Sequence, residues 1–405
     1  MLSSLILRLR QLSRRGRQPR QLAALNQADA AALATQAAPQ ATRVLVVRHD
    51  SIGDYLLFRP WLRQLAAVVR GRGQHLTLLA NALWAPLALA WDADCFDELL
   101  PLETGRFIKD PTYRADLLGV IGQAGFGEVI NPLHVREPAV ENFIRFMRAP
   151  VRVASQGAHQ VSPWFGILNT GYTQLLPSAR EVLFEYDRNQ EFFVNWLSAS
   201  LIPNATPTTP LPNAPLRLPT SVPAAAAAEA AAGPYIVLFP GASAQQKRWP
   251  VAHFAQLARA LHQHYGPPYR LLIAGSPADA AHARRMMQQA GPGVPLASRC
   301  GQTDLPGLAA LVAGARLLIS NDTVAAHLAA QAGTPCLVLL MGENYGKFFP
   351  YPPWLLHAAC RCLFPPSQEA RFAQGDFSPP AKDPDIGQIA VARALTAALE
   401  LLPGA

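Results

Sequence analysis

Short apolar runs alternate with longer stretches of helical period along almost the whole chain. In the first half, residues 44–48, 75–80, 98–100, 128–131 and 151–154 read as strands. Between the first two, Leu57, Trp61, Leu65 and Val69 recur every four residues and predict a helix over 56–69, with Pro60 expected to kink it or end its first turn. The second half repeats the alternation. Strands are expected at 235–239, 270–274, 317–320 and 337–340, and helices at 251–264, 278–290, 305–313 and 324–332. Strand and helix in turn predict parallel sheets covered on both faces.

The pattern breaks once, between residues 202 and 233, where seven prolines (Pro203, Pro207, Pro210, Pro212, Pro215, Pro219 and Pro223) lead into an alanine run interrupted by Glu229. A segment of this composition buries no core and acts as a semi-rigid spacer. The chain therefore divides into a basic arm (1–40), a first Rossmann-like domain (41–202), a linker (203–233), a second such domain (234–385) and a terminal helix (386–405) free to pack anywhere, including back across the first domain. Two doubly wound α/β domains are expected to face each other across a cleft at the carboxyl edges of their sheets, where open α/β sheets bind ligands.

Composition narrows the classes. With 405 residues, half of them hydrophobic and 15% charged, wholesale disorder is excluded, and no apolar run is long enough for a spanning helix. The net charge of +8 owes much to Arg8, Arg10, Arg14, Arg15, Arg17 and Arg20, with no acid among the first twenty residues. That tail reads either as a segment resting on an anionic membrane surface or as a solvated arm. Because the charge lies in the tail and is not interleaved with aromatics on a folded face, nucleic acid is not an expected partner. Five scattered cysteines form no disulfide framework and suit a reducing compartment. Cys360-Arg361-Cys362 would need two further ligands to hold zinc, and two ordinary thiols are the simpler expectation.

Four strand-to-helix turns carry candidate chemistry. Arg48-His49-Asp50-Ser51-Ile52-Gly53-Asp54 places Asp54 in the first turn of a helix, either as a base toward a substrate hydroxyl or as an acid that simply favours the positive helix end. Gly241-Ala242-Ser243, followed by Lys247-Arg248-Trp249-Pro250, combines small residues that allow close backbone approach with two cations suited to a diphosphate. Asn321-Asp322-Thr323-Val324 with His327 forms a helix start able to hold a second phosphate, although Asp322 also reads as a plain cap and His327 as a core histidine. Gly275-Ser276-Pro277 with Asp279 offers a carboxylate for ribose hydroxyls or, equally, a helix-start acid. The D-x-D spellings at Asp92-Asp94 and Asp383-Asp385 follow no convincing strand, and phosphate-loop, dinucleotide, zinc-peptidase and serine-hydrolase signatures are missing.

Taken in order, these turns resemble the family 9 glycosyltransferases, the group of the bacterial ADP-heptose:lipopolysaccharide heptosyltransferases. The first turn is similar to the family's strand followed by Ser-Leu-Gly-Asp, the second to its Gly-Ala-Ser, Lys and Trp-Pro element, and the third, with His327-Leu328-Ala329-Ala330, to its Asn-Asp-Thr-Gly and His-Leu-Ala-Ala element. Gly275-Ser276-Pro277 resembles its Gly-Gly-Pro turn. The likeness spans about residues 44 to 342 apart from the linker. It implies a GT-B architecture and inverting transfer of a sugar, heptose being expected, from a nucleoside diphosphate sugar to a hydroxyl of a lipopolysaccharide-core or related envelope glycan.

The roles implied are Asp54 as base; Arg48, Ser51 and Gly53 on the acceptor side; and Gly241, Ala242, Ser243, Lys247, Arg248, Asp279, Asp322, Thr323, Val324 and His327 around the donor. No tightly bound cofactor or metal is implied, ADP-heptose being the expected donor. A phosphorylated lipid-linked glycan is the expected acceptor, and the cytoplasm, peripheral to the inner face of the inner membrane, the expected place. Val324 departs from the family's Gly, and Ala325-Ala326 from its Pro-Met. The alternatives are a nucleotide-sugar epimerase recruiting His327 or Glu343, and a non-catalytic sugar-nucleotide binder.

Overall fold

The computed structural model describes residues 22–158, 163–200, 216–219, 229–378, 380 and 383–403. The arginine-rich stretch 1–20 and most of the proline-rich segment lie outside them.

Twelve strands among the described residues form two six-stranded parallel sheets. The first runs β3 (Glu98–Leu102), β2 (His75–Asn81), β1 (Gln40–Arg48), β4 (Phe126–Asn131), β5 (Val151–Ser155), β6 (Gln174–Leu176). The second runs β12 (Cys360–Leu363), β11 (Cys336–Leu339), β10 (Leu317–Asn321), β7 (Tyr235–Phe239), β8 (Arg270–Ile273), β9 (Leu296–Ser298). Counted within its own half, each has the 3-2-1-4-5-6 order of a doubly wound sheet, the expected α/β class. The central strands are apolar on both faces because helices cover both: every residue of β7 and β10 is buried, as is Val44–Val47 of β1. The strand order reverses between β1 and β4 and between β7 and β10. The turns after β1, β7 and β10, which carry three of the four sequence motifs, therefore leave the carboxyl ends of the switch strands.

The structure details the organisation in three places. First, residues 22–32 of the supposed arm are helical, and Asp29 is fully buried against the Arg114 guanidinium (2.6 and 2.7 Å) and Asn142 (2.8 Å). A buried acid with three donors ties that helix into the first unit. Second, two short segments, 52–57 and 182–185, cluster with the second unit, while 58–181 belong to the first. Third, the helix Val391–Leu401 buries Ala394, Ala397 and Ala398 in the second unit's own core, among Phe254, Leu257 and Leu337.

Pro60 does not end its helix, which runs from Ile52 to Gly71. A proline deprives the carbonyl four residues earlier of its intrahelical donor. Here the Leu56 carbonyl accepts instead from Gln331 Nε2 at 3.1 Å, so the lost bond is replaced from outside. Among the described residues no helix is long and apolar enough to cross a membrane.

Candidate functional site

Where β1 ends, the structure separates the residues of the first motif. Arg48 has a fully buried side chain, contacts Asp50 at 2.7 Å and Asn189 at 2.8 Å, and stacks over the Phe58 ring at 4.4 Å. It is a core ion-pair residue and not, as expected, a group offered to an acceptor. His49 beside it is buried, and burial pushes its pKa down to about 4. Ser51 stands exposed at the N-cap of the helix Ile52–Gly71, without a capping hydrogen bond from its side chain. Gly53 is required by close approach: a Cβ there would lie 2.8 Å from both Cδ2 and Nε2 of His327. Asp54 occupies the first helical turn, and its carboxylate and that of Glu185 offer oxygens within 4.8 Å of each other. Glu185 had no signal in the sequence; it opens a helix far down the chain, Glu185–Ala199, and its backbone N–H donates to the Lys347 carbonyl at 2.8 Å.

The turns after β7 and β10 converge. The Asn321 amide donates to the Pro240 carbonyl (2.8 Å) and the Gly241 carbonyl (3.2 Å), while its oxygen accepts from the Trp249 N–H (3.1 Å). One buried side chain thus staples both ends of the β7 loop to β10. Within that loop the Lys247 ammonium meets Asp322 Oδ2 at 3.0 Å and Glu343 Oε1 at 2.7 Å. Burial pulls the lysine's pKa down, but the two carboxylates outweigh it and leave it above the ordinary value. Glu343 follows β11, so three loops contribute to one ion triad that keeps some solvent access. From the sequence, Glu343 enters only with the epimerase alternative.

The remaining donor-side candidates divide. Thr323 is the N-cap of the helix Val324–Ala332: its hydroxyl accepts from the Ala325 N–H at 3.2 Å and touches Ser320 Oγ at 2.9 Å. Val324 is the first helical residue and follows an extended Thr323 (φ −147°), so a side chain is tolerated without a positive φ. Ser243 is exposed and Ala242 half-buried. Arg248 folds onto its own loop, Nε and Nη2 donating to the Ala242 carbonyl at 3.1 and 2.8 Å, and so steadies the backbone around Lys247.

Two further candidates take the structural half of their two readings. Asp279 is a buried capping-box acid whose Oδ2 accepts from the Ser276 N–H (2.9 Å) and hydroxyl (2.7 Å). A Cβ on Gly241 would come within 2.8 Å of that carboxylate, so Gly241 is small to admit Asp279 and the acid braces the loop from behind. His327 is a core histidine: 4% exposed, it shares a 2.8 Å hydrogen bond with the Tyr351 hydroxyl and packs on the Phe349 ring at 4.8 Å. Burial lowers its pKa to about 4, against a weaker upward pull from Asp322, so it stays neutral. Its ring fills the space that Gly53 leaves open.

Other sequence features resolve simply. Asp92 is buried between Arg59 (2.7 Å) and Arg63 (3.2 Å), and Asp94 pairs with Arg63, which makes the first D-x-D an arginine clamp. All five cysteines are free thiols, and Cys336 of β11 stands opposite Cys360 of β12. Chemically, the β7–β10 end of the second sheet offers a lysine poised between two acids, a helix start with oriented N–H groups and small residues in the intervening loop.

Residues 202–370 match the sequence model of glycosyltransferase family 9 (heptosyltransferase). Lipopolysaccharide heptosyltransferase 1 of Pseudomonas aeruginosa is 31% identical over 151 residues, which are 34% of this chain and 40% of that protein; the match thus spans well under half of the relative. Among solved structures, a family 9 glycosyltransferase from Veillonella parvula superposes with a TM-score of 0.62 at 17% identity, covering 91% of this chain and 99% of its own. E. coli ADP-heptose lps heptosyltransferase II superposes with a TM-score of 0.60 at 19% identity, covering 89% and 98%. The E. coli heptosyltransferase WaaC solved with ADP-2-deoxy-2-fluoro heptose reaches 0.59 at 18% identity, covering 87% and 98%. At these identities the structural likeness establishes the GT-B fold.

Proposed function

We propose that this chain, whose residues 202–370 carry a glycosyltransferase family 9 domain, is an inverting glycosyltransferase. The donor is a nucleoside diphosphate sugar, ADP-heptose, and the acceptor a hydroxyl of a lipopolysaccharide-core or related envelope glycan. The supporting observation is Lys247 held between Asp322 and Glu343 at the β7–β10 switch point, beside the start of the helix Val324–Ala332.

Among the described residues the Lys247 ammonium pairs with two carboxylates, one negative charge more than it carries. A diphosphate entering there gains Lys247 as its counter-ion only when an acid yields, and a carboxylate released from the ammonium is free to accept hydroxyls of ribose or sugar. Lys247 and the N–H groups of Thr323 and Val324 meet the charge that grows on the leaving diphosphate, without a tightly bound metal. Asp54 takes the proton of the acceptor hydroxyl, whose oxygen attacks the anomeric carbon as the carbon–oxygen bond to the diphosphate breaks on the opposite face. The configuration inverts, and free nucleoside diphosphate leaves. Glu185, within 4.8 Å of Asp54, helps receive or pass on that proton.

The names of the P. aeruginosa and E. coli relatives support the choice of heptose and lipopolysaccharide. The arginines of residues 1–20 suit an enzyme working on the cytoplasmic face of the inner membrane against an anionic lipid surface. Incubation with ADP-, GDP- and UDP-sugars and a deacylated core acceptor, followed by product analysis, tests the proposal. ADP and a new inverted glycoside are expected, whereas an epimerised nucleotide sugar without acceptor consumption would contradict it.

A further inference from the structure

The second sheet ends on β12, an edge strand that carries two of the five cysteines, and none of the roles above uses them. In the parallel register Cys336 of β11 stands directly opposite Cys360, and Val338 opposite Cys362. Residues in register, and residues two apart along a strand, share one face of a sheet. Three thiols from two separate stretches of sequence therefore point to the same side. The other side carries Leu337, Leu339 and Leu363, which pack in the core with the helix Val391–Leu401.

The three thiols differ in environment. Cys336 is completely buried, whereas Cys360 and Cys362 on the open edge keep some exposure. The S–H groups of Cys336 and Cys362 donate toward the Cys360 sulfur and hold the Cys360 thiol well below its ordinary pKa, against the upward push of burial. The same interactions leave Cys336 and Cys362 well above theirs. Cys360 thus carries the thiolate of the group, the form in which cysteine reacts. The two remaining cysteines are the reverse case: burial pushes Cys95 up to about 12 and raises Cys300 as well.

Spacing favours one pairing. Neighbouring strands run about 4.8 Å apart, while residues two apart on a strand are separated by about 6.6 Å. A disulfide needs its Cβ atoms within about 3.5–4.5 Å, so the cross-strand pair closes with small adjustments, whereas closing the C-x-C pair requires β12 to bend.

We propose that Cys336 and Cys360 are a peroxide-reactive pair that closes into a reversible disulfide across β11 and β12. The Cys360 thiolate attacks one oxygen of hydrogen peroxide, the O–O bond breaks, and the departing hydroxide takes a proton from solvent; Cys360 becomes a sulfenic acid. The Cys336 sulfur then attacks the Cys360 sulfur, the S–O bond breaks, and the hydroxyl leaves as water with the Cys336 proton. The two cysteines together lose two electrons, which the peroxide gains. The buried Tyr351 lies beside both thiols and its hydroxyl meets His327 Nδ1 at 2.8 Å, so the bridge forms one side chain away from the ring that fills the space at Gly53.

Treatment of the reduced full chain with hydrogen peroxide, followed by alkylation, intact mass and peptide mapping, tests the pair. The expected product is a single chain lighter by two hydrogens, its Cys336 and Cys360 peptides joined and released by dithiothreitol, with Cys95 and Cys300 still open to alkylation after unfolding. Cys360 should be consumed at least about tenfold faster than Cys95. Cys360→Ser should abolish the bridge. Cys362→Ser, which leaves both partners in place, should form it as the wild type does. Five free thiols after peroxide, a bridge from Cys360 to Cys362, loss of Cys95 as fast as Cys360, or a bridge within Cys360→Ser would overturn the assignment.

Discussion

The Lys247 ammonium lies 2.7 Å from Glu343 Oε1, and its other acid, Asp322, lies 3.0 Å away. Lysine thus arrives at the loop already charged and already oriented, which is what a group meant to meet a leaving diphosphate requires. Lys247→Ala is expected to lower turnover by about 10² to 10³, in line with removal of one preorganised donor, and to weaken nucleoside diphosphate binding. Stopped-assay kinetics and ADP titration check both. Glu343→Gln removes one competitor for the lysine, so ADP should bind at least as tightly as in wild type while sugar transfer falls.

Gly53 and His327 leave no room for a side chain between them. A methyl at Gly53 must move a buried ring that is tied to Tyr351, and overpacking of this kind costs about 1–3 kcal/mol. Gly53→Ala is therefore expected to lower stability in urea and, by shifting the turn that carries Asp54, to lower turnover. Gly53→Ala combined with His327→Ala should recover part of the lost stability; equal loss in the single and double variants would show that the contact is not limiting.

His49 and His327 both carry pKa values lowered by burial to about 4, against the ordinary 6.5. Between those values the unfolded chain binds more protons than the folded one, so stability falls as pH drops. The contribution is fully present above about pH 6.5 and lost down to pH 4, with a slope of up to about 1.4 kcal/mol per pH unit for each histidine. Denaturation midpoints at several pH values measure it, and His327→Gln should remove about half of the slope.

Asp29 is completely buried and holds Arg114 and Asn142. Asp29→Ala leaves a guanidinium without its partner and is expected to cost about 3–5 kcal/mol. Urea unfolding of the first unit, followed by Trp61 and Trp196 fluorescence, reports this, with little change in ADP affinity.

Most of the fold was legible because the central strands of a doubly wound sheet carry unbroken apolar runs, as at Val44–Val47 of β1, Tyr235–Phe239 of β7 and Leu317–Ile319 of β10. What escaped were β6, β9 and β12, edge strands of three or four residues, too short to display a period. The site was legible where a turn carries its own small residues and cations, as at Gly241 and Lys247. It was not legible where the partner came from another loop. Nothing near Arg48 or His327 in the sequence announces Asn189 or Tyr351. Glu343 and Glu185 reach the site only through tertiary contacts, which residue spacing does not encode.

The most direct measurement of the central claim is ADP release from ADP-heptose in the presence of acceptor, made on wild type and on Asp54→Asn with donor affinity determined on both. The account predicts wild-type turnover with inversion, and in the variant an unchanged donor affinity with turnover reduced at least about 10²-fold, as loss of a catalytic base entails. Transfer by Asp54→Asn at the wild-type rate would contradict it.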